Sequence, residues 1–106
     1  MIYVFDLDGT LCTKVDDGDY SKATPYPIRI QRVNYLYDEG HTVKIFTARG
    51  MGRHDDNANA AYEELYEMTE SQLSSWGVKY HNLFLGKPSG NLYIDDKGMR
   101  DYEFFD

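Results

Sequence analysis

The chain predicts an α/β fold, a three-layer Rossmann-like sandwich around a mostly parallel sheet of about four to five strands. Two observations carry that expectation. Short apolar runs at 2–6, 42–47, 80–86 and 91–96 alternate with segments of helical spacing before the last two runs follow each other directly. Each run also ends in, or just before, a polar residue: Asp6, Thr47, Lys87, and Asp95 with Asp96. In open α/β sheets ligands bind outside the carboxyl ends of the strands, so the residues with the most chemistry fall where such a fold places its site.

The first run, IYVFD, is short, continuous, β-branched and aromatic, which suits a fully buried strand. Residues 12–24 follow as an exposed loop or flap, marked by Gly18 and clustered aspartates. A helix is expected to start near Thr24 to Pro27, where a capping hydroxyl meets prolines. Ile30, Val33 and Tyr37 recur at helical spacing, and Gly40 is a plausible stop. TVKIFT at 42–47 is the second strand, and residues 50–57 lie in a charged, glycine-containing loop. Tyr62, Leu65, Thr69, Leu73 and Trp76 then line one side of a long helix ending at Gly77. Thr69 and Gln72 have capping-box spacing, so a break in that helix is expected there. YHNLFLG supplies the third strand, NLYIDD the fourth, and 97–106 a short helix or a tail docking its aromatics.

With 106 residues the chain fits one domain, 1–106, and its 42% apolar content supports a packed core. The net charge of −7 lacks the basic stripe of a protein that grips phosphate backbones, which disfavours nucleic acid as a partner. Cys12 is the single cysteine, so no internal disulfide and no cysteine-based zinc cluster can form. No apolar stretch is long enough to span a bilayer and none reads as a signal peptide. These features set the expectation of a cytoplasmic protein without a membrane partner.

Two aspartates spaced as in FDLD share one face of a strand end, and like charges so close resist joint ionisation. A magnesium ion resolves that conflict, because hard cations take oxygen ligands and share them with a substrate phosphate. Asp6, a backbone carbonyl near Asp8, and Asp95 or Asp96 could supply the protein ligands. Lys87 adds a compact positive charge, while the Thr47 hydroxyl and the Ala48 N–H add donors. Phosphoryl transfer depends almost entirely on such positioning and neutralisation. A carboxylate can also attack phosphorus while a second one shuttles the proton. His54 beside Asp55 and Asp56 reads better as part of a charged loop than as a metal site. Arg49 and Arg53, after Thr47, are candidates to grip anionic oxygens.

Taken together, DLDGT, the threonine of IFTAR, the lysine of GKP and the aspartates of YIDD resemble the four motifs of the haloacid dehalogenase superfamily of phosphatases. They occur in that family's order from one end of the chain to the other. The resemblance implies Asp6 as nucleophile, Asp8 as acid/base, Thr47 and Lys87 as phosphoryl binders, and Asp95 and Asp96 on the magnesium side. It leaves open which of the last two is the inner-sphere ligand. FDLDGTLC, YDEGHTVKIFTARGM, WGVKYH and GKPSGNLYIDDKGM also resemble a group of small members associated with capsule and lipopolysaccharide biosynthesis, which implies a sugar phosphate as substrate.

Many members carry a cap domain inserted after the first or second motif. Here about 40 residues separate Asp6 from Thr47 and about 40 separate Thr47 from Lys87, each gap filled by one helix and its loops. No cap fits, so the site is expected to be open to a bulky substrate or covered by a neighbouring subunit in a homo-oligomer. Rival readings are phosphotransfer to an acceptor other than water, action on polynucleotide ends, and a non-catalytic or regulatory role in a polysaccharide pathway.

Overall fold

A computed structural model describes residues 1–106. Three parallel strands form the sheet: β1 (Ile2–Phe5), β2 (Thr42–Thr47) and β3 (Asn82–Leu85), in the spatial order β1-β2-β3. Helix α1 (Pro27–Asp38) joins β1 to β2, helix α2 (Ala58–Ser75) joins β2 to β3, and a short α3 (Asp101–Phe105) ends the chain. A single 3-10 turn, Tyr20–Lys22, interrupts the long loop after β1.

The register pairs Phe5 with Ile45 and Ile45 with Leu83, so one row of side chains crosses all three strands. That row, with Val43, packs against Ile30, Val33 and Leu36 of α1 and Leu73 of α2 in one core. Alternation sends the intervening residues to the opposite face, where Ile2, Val4 and Phe84 are exposed. Phe104 and Phe105 of α3 contact Phe5 on the inward face, at centroid distances of 5.5 and 6.0 Å. All three helices therefore cover the same side of the sheet. Crossovers of one hand that step in the same direction must do so, and only a reversal of strand order would put a helix on the other side.

The expected sandwich is thus corrected to two layers and three strands. Residues 91–96, read as a fourth strand, form no ladder and lie exposed between Lys87 and α3. Helix α2 starts at Ala58, with the Asn57 side chain accepting from the Ala60 N–H, and runs unbroken through Thr69 and Gln72. Its buried stripe is Ala61, Leu65, Thr69 and Leu73 at intervals of four. Tyr62 falls on the exposed flank and Trp76 caps the carboxyl end, so neither belongs to the stripe. No helix is long and apolar enough to cross a membrane.

Candidate functional site at the carboxyl edge of the sheet

β1 ends at Phe5 and hands the chain directly to Asp6, which sits at the carboxyl edge with partly exposed oxygens. A tight turn follows: Gly9 adopts φ +83°, its N–H donates to the Cys12 carbonyl, and the Leu7 carbonyl accepts from Thr10 and Leu11. This turn buries Leu7 and Leu11 while it holds Asp6 and Asp8 at the surface of the core. A left-handed residue at position 9 favours glycine, since a side chain there carries steric strain. The Lys14 side chain also lies where a Cβ on Gly9 would project.

Lys87, just beyond β3, brings its ammonium to 3.7 Å from an Asp6 oxygen. Its own N–H donates to the Thr47 carbonyl at 3.2 Å, which ties the third strand's exit to the second. The ammonium also lies 4.4 Å from the centre of the Tyr93 ring. Thr10 donates its hydroxyl to Asp6 at 3.5 Å. Burial pushes the Asp6 carboxyl above the ordinary carboxylate range; Lys87 pulls it back only in part, and Asp8 adds to the rise. A carboxyl perturbed by burial and faced by a specific cation marks a candidate functional position.

Thr47 is buried at the end of β2, and its hydroxyl accepts from the Arg49 N–H at 3.1 Å. Ala48 beside it is half-buried. Asp6, Asp8, Thr47, Ala48 and Lys87 are thus brought to one edge by three neighbouring strands.

Arg49 takes a different place from the solvent-facing anion clamp expected of it. Its side chain is wholly buried. Nε and one terminal nitrogen donate to the two Asp8 oxygens at 2.9 Å each, and the other terminal nitrogen donates to Gln72 at 2.7 Å and Thr69 at 3.2 Å. The Tyr20 ring stacks under the guanidinium at 4.8 Å, and Gln72 in turn donates to the Tyr20 carbonyl at 2.9 Å. With every donor directed inward, the group has none left for substrate. It locks Asp8 to α2 and pins the flap that follows β1. Arg53 is also engaged, with Glu64 at 3.1 Å and with the Gly18 carbonyl. The signal for this role was present in Thr69 and Gln72, two polar residues on the inward side of an otherwise apolar helix stripe, whose capping-box spacing masked it.

Asp95 and Asp96 are not brought to the cleft. Asp95 accepts from the N–H groups of Lys97 and Gly98 in its own turn, which holds its carboxyl below the usual range, and Asp96 pairs with Lys97 at 3.2 Å. No group of three or more acidic, histidine or cysteine side chains converges anywhere in the chain. Within one chain the ligands at hand are therefore the Asp6 carboxylate and the Asp8 backbone carbonyl, the Asp8 carboxylate being claimed by a guanidinium. That donor set fits a magnesium ion, which is commonly held by one or two carboxylates while water and substrate phosphate oxygens complete its shell.

The fold and this edge define a small α/β protein with a parallel sheet whose carboxyl end carries a carboxylate, a lysine and a buried arginine–aspartate lock. No protein-family model and no curated protein matches the chain. Among solved structures it is similar to a Vibrio cholerae protein determined as a structural-genomics target, at 28% identity and a TM-score of 0.88. That match covers 98% of this chain and 86% of the other.

Proposed function

We propose that the chain is a magnesium-dependent phosphatase of the haloacid dehalogenase type, hydrolysing a phosphomonoester, with a sugar phosphate of polysaccharide biosynthesis as its substrate class. The observation that carries the reading is the pairing of a partly desolvated Asp6 with the Lys87 ammonium, 3.7 Å away at the sheet's carboxyl edge. When bound, magnesium would supply counter-charge for the phosphoryl oxygens. Asp6 and the backbone carbonyl of Asp8 would hold the ion, and the remaining roles fall to this chain's side chains.

Lys87 and the donors around Thr47 and Ala48 would hold the phosphoryl oxygens against Asp6. The Asp6 carboxylate attacks phosphorus, so an O–P bond to Asp6 forms as the ester O–P bond breaks, and Asp8 protonates the departing alkoxide. In the second half a water gives its proton to Asp8 and attacks the aspartyl-phosphate, releasing phosphate and restoring Asp6. Arg49 donates to both Asp8 oxygens and so fixes the direction of that carboxyl. With no cap over this edge, a bulky phosphate ester can reach Asp6.

The test is Asp6→Asn, which keeps shape and removes the attacking charge. Phosphate release from a panel of sugar phosphates with magnesium should fall by at least about a thousandfold, the scale of losing a nucleophile rather than a positioning contact. Turnover surviving that change sinks the covalent route.

A further inference from the structure

Seven of the eleven lysines and arginines pair with an acidic side chain; Lys14, Arg32, Lys44 and Arg100 do not. In a chain of net charge −7, a cation with no acid in reach is the exception. Arg32 lies on α1, Lys44 shares the outward face of the sheet with Val4, and Arg100 precedes α3. Lys14 alone belongs to the loop that leaves Asp6 and Asp8. Arg49 and Arg53, the cations expected to grip anionic oxygens, are both engaged inside the fold. The free positive charge of this loop is therefore Lys14.

Its stem is laid across the bare face of Gly9. Cε, Cγ and Cδ of Lys14 lie 2.7, 3.3 and 3.5 Å from the point a Cβ there would occupy. Gly9 stands between Asp8 and Thr10, whose hydroxyl reaches Asp6. The stem thus crosses the turn that carries both aspartates, and the side chain stays exposed. Its neighbours fix it there. Thr13 donates its N–H to the Thr24 carbonyl, and its hydroxyl accepts from the Thr24 N–H, both at 2.9 Å. Val15 packs against the core. Further along, the Tyr20 ring meets the Arg49 and Arg53 guanidiniums at 4.8 and 5.4 Å, and its hydroxyl accepts from the Gly50 N–H at 3.1 Å. The flap is a fastened wall, so the ordering cost of using Lys14 is already met in large part.

We propose that Lys14 determines specificity: its ammonium takes a second anionic group, a carboxylate or a further phosphate, on a substrate whose scissile phosphoryl group faces Asp6 and Lys87. Such a substrate presupposes the phosphatase reading, and Lys14 narrows it to esters that carry another negative charge. The two cations have separate tasks. Lys87 comes from the exit of β3, stands 3.7 Å from Asp6 and serves the phosphoryl group common to every ester. Lys14 comes from the flap and is bound to no carboxylate, so its charge is free for a group that only some esters possess. The field of an acidic chain opposes a ligand with several negative charges. One unpaired lysine beside the site offsets that opposition locally, and a few placed polar groups are what orient a ligand in such a site.

Lys14→Met and Lys14→Arg in the full chain test the assignment, with Lys44→Met as the control for losing one positive charge elsewhere. Hydrolysis of glucose phosphate, phosphogluconate and fructose bisphosphate with magnesium gives kcat/KM for each ester. Lys14→Met should lower the preference for an ester with a second anionic group over glucose phosphate about fivefold, the upper range of an exposed charge pair. The change should fall on KM, and Lys14→Arg and Lys44→Met should keep the wild-type preference. A loss confined to phosphogluconate assigns a carboxylate, one confined to fructose bisphosphate a further phosphate, and a loss with both the shared charge. Wild-type preference in Lys14→Met, or the same loss in Lys44→Met, overturns the proposal. If wild type turns over none of the esters, the phosphatase reading fails and calorimetric titration of phosphogluconate and fructose bisphosphate decides the subsite alone. Binding of either, weakened about fivefold in Lys14→Met and not in Lys44→Met, upholds it; equal affinities, or no binding, overturn it.

Discussion

Replacing Arg49 with methionine tests whether the buried guanidinium is a structural lock or incidental packing. Methionine keeps most of the stem's volume and removes every polar contact of the guanidinium: two bonds to Asp8, one each to Gln72 and Thr69, and the weaker contacts with the sulfurs of Cys12 and Met68. Gln72 keeps its bond to the Tyr20 carbonyl, so its loss is partial. The Asp8 carboxylate, only 20% exposed, would stand without its partner. Removing one member of a buried ion pair costs about 3–5 kcal/mol, because the other charge stays desolvated. Against a total stability of about 5–15 kcal/mol for such a domain, that is a large share. A loss of 1 kcal/mol lowers the melting temperature of a domain this size by roughly 4–8 °C, so a fall of at least about 12 °C is expected. Thermal and urea melts measure it. The discriminating comparison is the same change in an Asp8→Asn background, where no carboxylate is left bare and the cost should drop by about 2 kcal/mol. Equal costs in both backgrounds would show that packing alone is being lost, and the lock would be refuted.

Lys87→Met removes the cation that partly offsets burial at Asp6, so the acid limb of kcat/KM should move to higher pH than in the wild type. The same shift has a stability counterpart. A carboxyl raised in the folded state contributes most below its unfolded value and loses that contribution as pH climbs through the folded one. The variant's deficit in urea melts should therefore be larger at pH 7 than at pH 4, and a deficit that grows on acidification would contradict the sign. Gly50→Ala and Gly40→Ala separate strain from crowding. Both positions have positive φ, +77° and +93°, but a Cβ on Gly50 would lie 2.7 Å from Leu65 Cδ1 and 3.2 Å from Ala61 Cβ, whereas Gly40 has nothing within 4 Å. Gly40→Ala should cost about 1 kcal/mol and Gly50→Ala about 2–4 kcal/mol; equal melting temperatures would show that Leu65 and α2 yield freely.

How far this molecule could be read in advance depended on how local each decision was. Strands β1 to β3 came through because apolar continuity and β-branching act within a few residues, although β1, expected to be fully buried, exposes Ile2 and Val4 on one face, and Pro27 and Gly40 bounded α1 by chemistry of their own. NLYIDD has the same local signature as those strands and forms none, because apolar continuity does not by itself seat a segment against a strand. Composition reports willingness to pair, not the presence of a partner. Thr69 and Gln72 failed for the related reason that a spacing with a local use was taken up by a residue 20 and 23 positions away.

Arg49 shows why the carboxylates at the two ends of this chain differ in legibility. Asp8 is held by a guanidinium that arrives from the end of β2, so its place is settled once β1 and β2 pair, and their register is fixed by Phe5 and Ile45 in the core. Asp95 has no comparable tie to the core. Its oxygens are satisfied by the turn that contains it, and the apolar residues before it remain in water. A carboxylate satisfied by its own turn carries no long-range signal for a sequence pattern to follow, whereas one clamped by a residue of the next strand does.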